Sequence, residues 1–185
     1  MCTPNATRQA GISLIELVMF IVIVGLAVAG VLLVMNVTTK SSADPMVRKQ
    51  AIATAESLLE EIELQPFTYC FPTDANATTA GSSAGCASAA NSEDTLPAAA
   101  RVTIPRNANN VADYTNFSMS PIVDITGTAI GGLGAYTASV KITQTGASFS
   151  LPATDVLQID VRVVSGNTDI TATGYRFRYA PNAVP

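Results

Sequence analysis

Histidine and tryptophan are absent from this chain, and charged residues make up only 13% of it. Without histidine, catalytic triads and metal sites that depend on an imidazole are excluded. Ten Lys and Arg against fourteen Asp and Glu leave a net charge of −4, so the overall charge gives no electrostatic footprint for nucleic acid. A phosphate-binding loop is also missing, because the glycine-rich stretch Gly127 to Gly134 has no G-K-[ST] ending and lies between strand-like segments, where it reads as a turn. Asp155 and Asp160, five apart, would fall on opposite faces of a strand and make no carboxylate pair. No catalytic residue, metal ligand set or cofactor is implied, and the chain reads as a non-enzyme. Asn76-Ala77-Thr78 and Asn116-Phe117-Ser118 have the N-glycosylation form, which matters only where the matching machinery exists.

Apolar residues, at 48%, are what the chain has in excess. They concentrate in Leu17 to Met35, nineteen residues without a charged or hydrogen-bonding side chain. As a helix rising 1.5 Å per residue, this run spans roughly the hydrocarbon core of a bilayer. Flanking charges give no clear orientation, with Arg8 before the run and Lys40, Arg48 and Lys49 after it. Within the run, Gly25 and Ala29 stand four apart with Gly30 beside them, so small residues line one face and let a second helix approach.

Just before the run comes Gly11-Ile12-Ser13-Leu14-Ile15-Glu16. A carboxylate at the mouth of an apolar helix is expensive to bury alone, by roughly 2 to 3 kcal/mol on insertion scales, and so points to a partner. This segment resembles the one read by prepilin peptidase in type IV pilins and pseudopilins, although Ile12 and Ser13 stand where that family favours Phe or Met and Thr. The resemblance implies cleavage between Gly11 and Ile12, N-methylation of Ile12, and pairing of Glu16 with the new amino terminus in a filament. It also implies an inner-membrane precursor with one span and an extracytoplasmic domain, later incorporated into a pilus with other pilin subunits. Two rival readings stand beside it: Glu16 snorkelling at the end of an ordinary anchor, and a secretory signal peptide cut at Ala27-Val28-Ala29.

Thr38 to Ala43 reads as a polar joint, and Asp44-Pro45 as a helix start with an N-cap acceptor and Pro at the first helical position. From there Val47, Ala51, Ala55, Leu58 or Leu59, and Ile62 repeat at three- and four-residue steps, marking an amphipathic helix that ends near Gln65-Pro66. The opposite face carries Arg48, Lys49, Glu56, Glu60 and Glu63, a solvated or subunit-facing surface. The stretch Ala43 to Phe67, with the terminal Tyr175-Arg176-Phe177-Arg178-Tyr179-Ala180-Pro181, is similar to minor pilins of the mannose-sensitive haemagglutinin pilus, and thereby implies a role in pilus assembly or adhesion.

Residues 68 to 100 are rich in Ala, Ser, Thr and Asn and read as loop. Cys70 and Cys86 bracket its first part and would close a loop worth about 3 kcal/mol in an oxidising compartment. The third cysteine, Cys2, would leave with a leader; a pair of free thiols is the alternative. From Arg101 the pattern becomes period two, with Tyr136, Ala138, Val140 and Ile142, then Leu157, Ile159, Val161 and Val163, alternating with polar residues. Ser165-Gly166-Asn167 supplies a hairpin turn. In the following segment Phe177 and Tyr179 are expected to face the core, and Arg176 and Arg178 the solvent.

The expected organisation is α+β: leader 1–11, spanning and assembly helix 12–39, stem helix 40–66, loop 67–100 and antiparallel sheet domain 101–185, with three to five strands laid on the stem. Two functions fit: a filament subunit, of a type IV pilus or of a type II secretion pseudopilus, or a single-span anchored periplasmic binding module.

Overall fold

The computed structural model describes residues 11–183, the side chains of 37–44 excepted. The residues before Gly11, where the leader with Cys2 is expected, and the side chain of Lys40 lie outside this description. The chain divides into two units, one up to Pro45 and one from Met46 onward.

Helical backbone α1 is assigned over Leu14–Glu63 and contains Pro45. The polar joint and the fresh start at Asp44 are therefore not seen, and the backbone stays helical through them. Thr and Ser disfavour a helix by only a few tenths of a kcal/mol each, too little to stop propagation between two strongly helical segments. Pro45 removes one donor and crowds the preceding turn, a penalty of about 3 kcal/mol in an isolated helix interior. In the first unit, Leu14–Asn36 forms a stretch long and apolar enough to cross a membrane. Every residue from Gly11 to Asn36 is exposed.

The second unit opens with the end of α1, where the expected apolar face is buried: Ala51, Ala55, Leu58 and Ile62 are at most 3% exposed. This face lies in one core with a four-stranded antiparallel sheet, ordered β1 (Ser118–Met119), β2 (Thr137–Gln144), β3 (Val156–Ser165) and β4 (Thr168–Phe177). Register pairs Ala138 with Val163, Val140 with Val161 and Ile142 with Ile159, so the inward residues of β2 and β3 stack side by side. The β3–β4 turn is Gly166-Asn167, with Gly166 at φ +55°, a conformation that a Cβ would disfavour.

Strands begin later than the sequence pattern suggests. Between Arg101 and Phe117 the chain forms loops and a 3₁₀ turn, Val111–Tyr114, closed by a reciprocal capping box of Asn110 and Asp113. Asn side chains that bond their own backbone offer an alternative to a sheet ladder, and Pro105 has no donor to give one. This segment still contributes Val102, Val111, Tyr114 and Phe117 to the core.

β4 reverses the expected facing. Phe177 is 41% exposed and Tyr179 75%, whereas the Arg178 side chain is 1% exposed. The inward residues of β4 are Ile170, Ala172, Gly174 and Arg176, all half-buried. Gly174 lies directly against Leu59 and Glu63 of α1, with the Leu59 Cδ1 only 3.0 Å from where a Cβ would stand. An aromatic ring on that face would hold the helix away, so the large residues go outward, and Phe149 stacks edge-on against Tyr175 and Phe177.

Candidate functional site

In the first unit, Gly11 to Ser13 are non-helical and the helix opens on the Ser13 carbonyl, which accepts the Leu17 N–H at 3.1 Å. That places Glu16 in the first turn, where a carboxylate meets the positive end of the helix dipole, an attraction of about 0.3 to 1 kcal/mol. Among the described residues Glu16 takes part in no ion pair. Ile12 is 75% exposed, and among the described residues nothing lies within 4 Å of a Cβ built on Gly11. Gly25 and Gly30 are equally clear of neighbours, so their smallness answers to no contact among the described residues. Gly25 and Ala29, four apart, share one face of this wholly exposed apolar helix, and Gly30 follows round the helix. Water is a poor medium for such a surface, and lipid or other apolar helices are the chemistry that would cover it.

The second unit holds the loop of residues 67–100, which carries a disulfide between Cys70 and Cys86. Inside it Asp74 acts as an organising anion. Its carboxylate accepts the backbone N–H groups of Asn76, Ala87 and Ser88 at 2.8, 2.9 and 3.2 Å and the Asn91 amide at 2.8 Å. Those bonds, Ala87 first, then Asn76 and Asn91, lower its pKa from 3.8 to about 2. The loop is thus ordered by a covalent bridge and a caged charge, with only a small cluster of Cys70, Ala77 and Ala80 as apolar filling.

Three ion-pair groups, each with at least one buried side chain, tie this loop to the next and both to the helix and the sheet. Arg101 meets Glu93 at 2.7 Å and Asp113 at 2.9 Å. Burial nevertheless raises the Glu93 pKa above its ordinary value, against the lowering effect of Arg101. Arg106 reaches Glu61 of α1 at 2.6 Å, and the Tyr114 hydroxyl donates to the same oxygen at 2.6 Å. The Tyr114 pKa is pushed up by burial and then by that bond. Arg178 lies between Asp94 at 2.5 Å and Asp155 at 3.5 Å, and its guanidinium covers the rings of Phe67 at 4.1 Å and Tyr69 at 4.9 Å.

Sequence reasoning named none of these groups, since partners such as Asp94 and Arg178 are distant in the chain and each residue type alone reads as surface. Their arrangement is architectural: every charge is spent on another side chain. Among the described residues no three Cys, Asp or Glu side chains gather in a metal-holding cluster. Gly11, Ile12 and Glu16 lie at the start of the apolar helix and Gly25, Ala29 and Gly30 further along it, while Cys70 and Cys86 lie in the other unit. No protein-family model, no curated protein and no solved structure matches this chain.

Proposed function

We propose that this chain is a minor type IV pilin, a structural subunit for pilus assembly or adhesion, cut by prepilin peptidase after Gly11 and methylated at Ile12. The observation that carries the reading is the apolar helix: it starts three residues after Gly11, holds Glu16 in its first turn, and exposes every side chain through Asn36. Such a helix needs apolar company, and a filament core of like helices supplies it along with an amine for the carboxylate. Pairing Glu16 of one subunit with the amino terminus of another would spare each the burial of an isolated charge and would select one axial stagger.

A small α+β domain with a disulfide fits the extracytoplasmic side of such a subunit. The finer resemblance, to minor pilin D of the mannose-sensitive haemagglutinin pilus, rests on Ala43 to Phe67 and on Tyr175 to Pro181. Its partners on this reading are other pilin subunits, prepilin peptidase and, before assembly, the inner membrane.

The test is mass spectrometry of the N-terminal peptide from protein recovered from the native envelope. Methylated Ile12 at the start supports the reading; a chain beginning at Gly30 marks a secreted domain and an intact Met1 a plain anchor, and either overturns it. A second measurement isolates Glu16. Glu16→Ala should be processed normally yet enter filaments poorly, and undiminished incorporation would remove the carboxylate from its assigned role.

A further inference from the structure

The sheet has two edges of different character. β1 is two residues long and is followed by Ser120-Pro121, so that side is short and ends in a residue without a donor. β4 is ten residues long and is the other outermost strand. The Arg178 N–H donates to the Asp155 carbonyl, which fixes the phase of the ladder: even-numbered residues of β4 bond to β3 and odd-numbered ones turn their N–H and C=O groups away from it. Asp169, Thr171, Thr173 and Tyr175 therefore present free backbone donors and acceptors in a row. No backbone or side-chain group among the described residues bonds to them there. Lysine, proline and bulges are missing from this strand; of its two charges, Asp169 is engaged by Arg162 at 2.5 Å, and the inward Arg176 is drawn to the strand's far end, where it donates to the Gln65 carbonyl at 3.3 Å and covers the Tyr179 ring.

Extended polypeptide is the ligand such a row recognises, because only a strand repeats donors and acceptors at the same interval. The two faces beside the edge specify its side chains. On the outer face stand Thr173, Tyr175 and Phe177, the aromatics 45% and 41% exposed, with Phe149 against them. On the helix face, Glu63 lies over Gly174, and Glu56 and Glu60 extend the same stripe of α1 at helical spacing. None of these three glutamates has an ion-pair partner among the described residues.

We infer that the β4 edge accepts an extended strand of a different polypeptide, one that alternates lysine or arginine toward the helix with aromatic residues toward the outer face. A second copy of this chain is disfavoured by the same charges. Antiparallel pairing of two β4 edges would put both helices on one face of the joined sheet, with their glutamate rows turned toward each other. Nothing in this inference depends on processing after Gly11 or on Glu16.

The experiment uses the full chain in detergent micelles and a soluble synthetic peptide alternating lysine with tyrosine. Binding is read by fluorescence anisotropy and by amide hydrogen exchange. The expected result is saturable binding with new protection at Asp169, Thr171, Thr173 and Tyr175. Thr173→Pro removes an outward donor without breaking the β3 ladder and should weaken binding about tenfold, as should Glu60→Lys. A peptide with glutamate for lysine should not bind. The inference is overturned by absent binding, by protection elsewhere, or by unchanged affinity in Glu60→Lys, a change at an exposed position that leaves the fold intact even if Thr173→Pro does not. Efficient cross-linking of Thr173→Cys chains to one another in solution would overturn it in favour of self-pairing.

Discussion

Replacing Arg178 with alanine gives the sharpest test of how the second unit is held together. The side chain is 1% exposed, and Asp94 and Asp155, at 25% and 29%, lose their cation together. Asp94 also accepts from the Ser83 hydroxyl, and its backbone carbonyl takes the Gln144 amide at 2.5 Å, so the pair joins the disulfide-bearing loop to β2 and to the end of β4. Removing one member of a fully buried pair costs about 3 to 5 kcal/mol, and the partial exposure of both carboxylates puts this case at the lower end. Loss of the stacking on Phe67 and Tyr69 adds about 0.5 to 2 kcal/mol, against which relaxation and entry of water subtract a similar amount. The expected destabilisation is about 3 kcal/mol, a drop of roughly 1.5 M in the urea midpoint.

Tyrosine emission suits the measurement, since the chain has five Tyr and no Trp, and Tyr69 lies under the guanidinium itself. Arg178→Lys keeps the charge but not the planar stack and should fall between, at about 1 to 2 kcal/mol. A midpoint for Arg178→Ala within about 0.5 kcal/mol of the parent would mean that the carboxylates find water easily, and the reasoning from burial would fail.

Other outcomes follow from the same geometry. Cys70→Ser, or reduction of the parent, should lower stability by about 3 kcal/mol and expose residues 71–85 to protease before the sheet opens. Asp74 is depressed in the folded state, so its stabilising contribution is complete above the ordinary value of 3.8 and is lost as pH falls toward about 2. Urea midpoints across that window should therefore fall for the parent and fall less for Asp74→Asn, which starts lower at neutral pH. Gly146→Ala would drive a methyl group into the Pro152 carbonyl and should destabilise by about 2 kcal/mol or more, measurable by the same titration.

Periodicity made much of this fold legible. The exposed apolar helix, the buried face Ala51, Ala55, Leu58 and Ile62, and the alternation in β2 and β3 all follow from one side chain per face at a regular interval. β4 follows the same alternation in the opposite phase to the one residue type suggests, since Arg176 and Arg178 look like solvent residues and Phe177 and Tyr179 like core. The deciding signal was in the small residues: Ala172 and Gly174 let α1 come close, and only then do the aromatics have to leave that face. Asp94, Asp155 and Glu61 could not be matched to their arginines from sequence, because pairing through space carries no local pattern. At the N-terminal site, spacing placed Gly11, Ile12 and Glu16 at a helix mouth, and the fold adds that nothing within the described chain covers them.

The bridge from Cys70 to Cys86 also changes how the second unit would transmit force. The two cysteines stand sixteen positions apart in the chain, a length that pulled straight would add about 50 Å between the end of α1 and the sheet. With the bridge closed, tension passes across one pair of sulfurs, and that slack is withheld from any pull applied through the helix. The loop can then lose its hydrogen bonds under load without letting the helix and sheet draw apart by its full length.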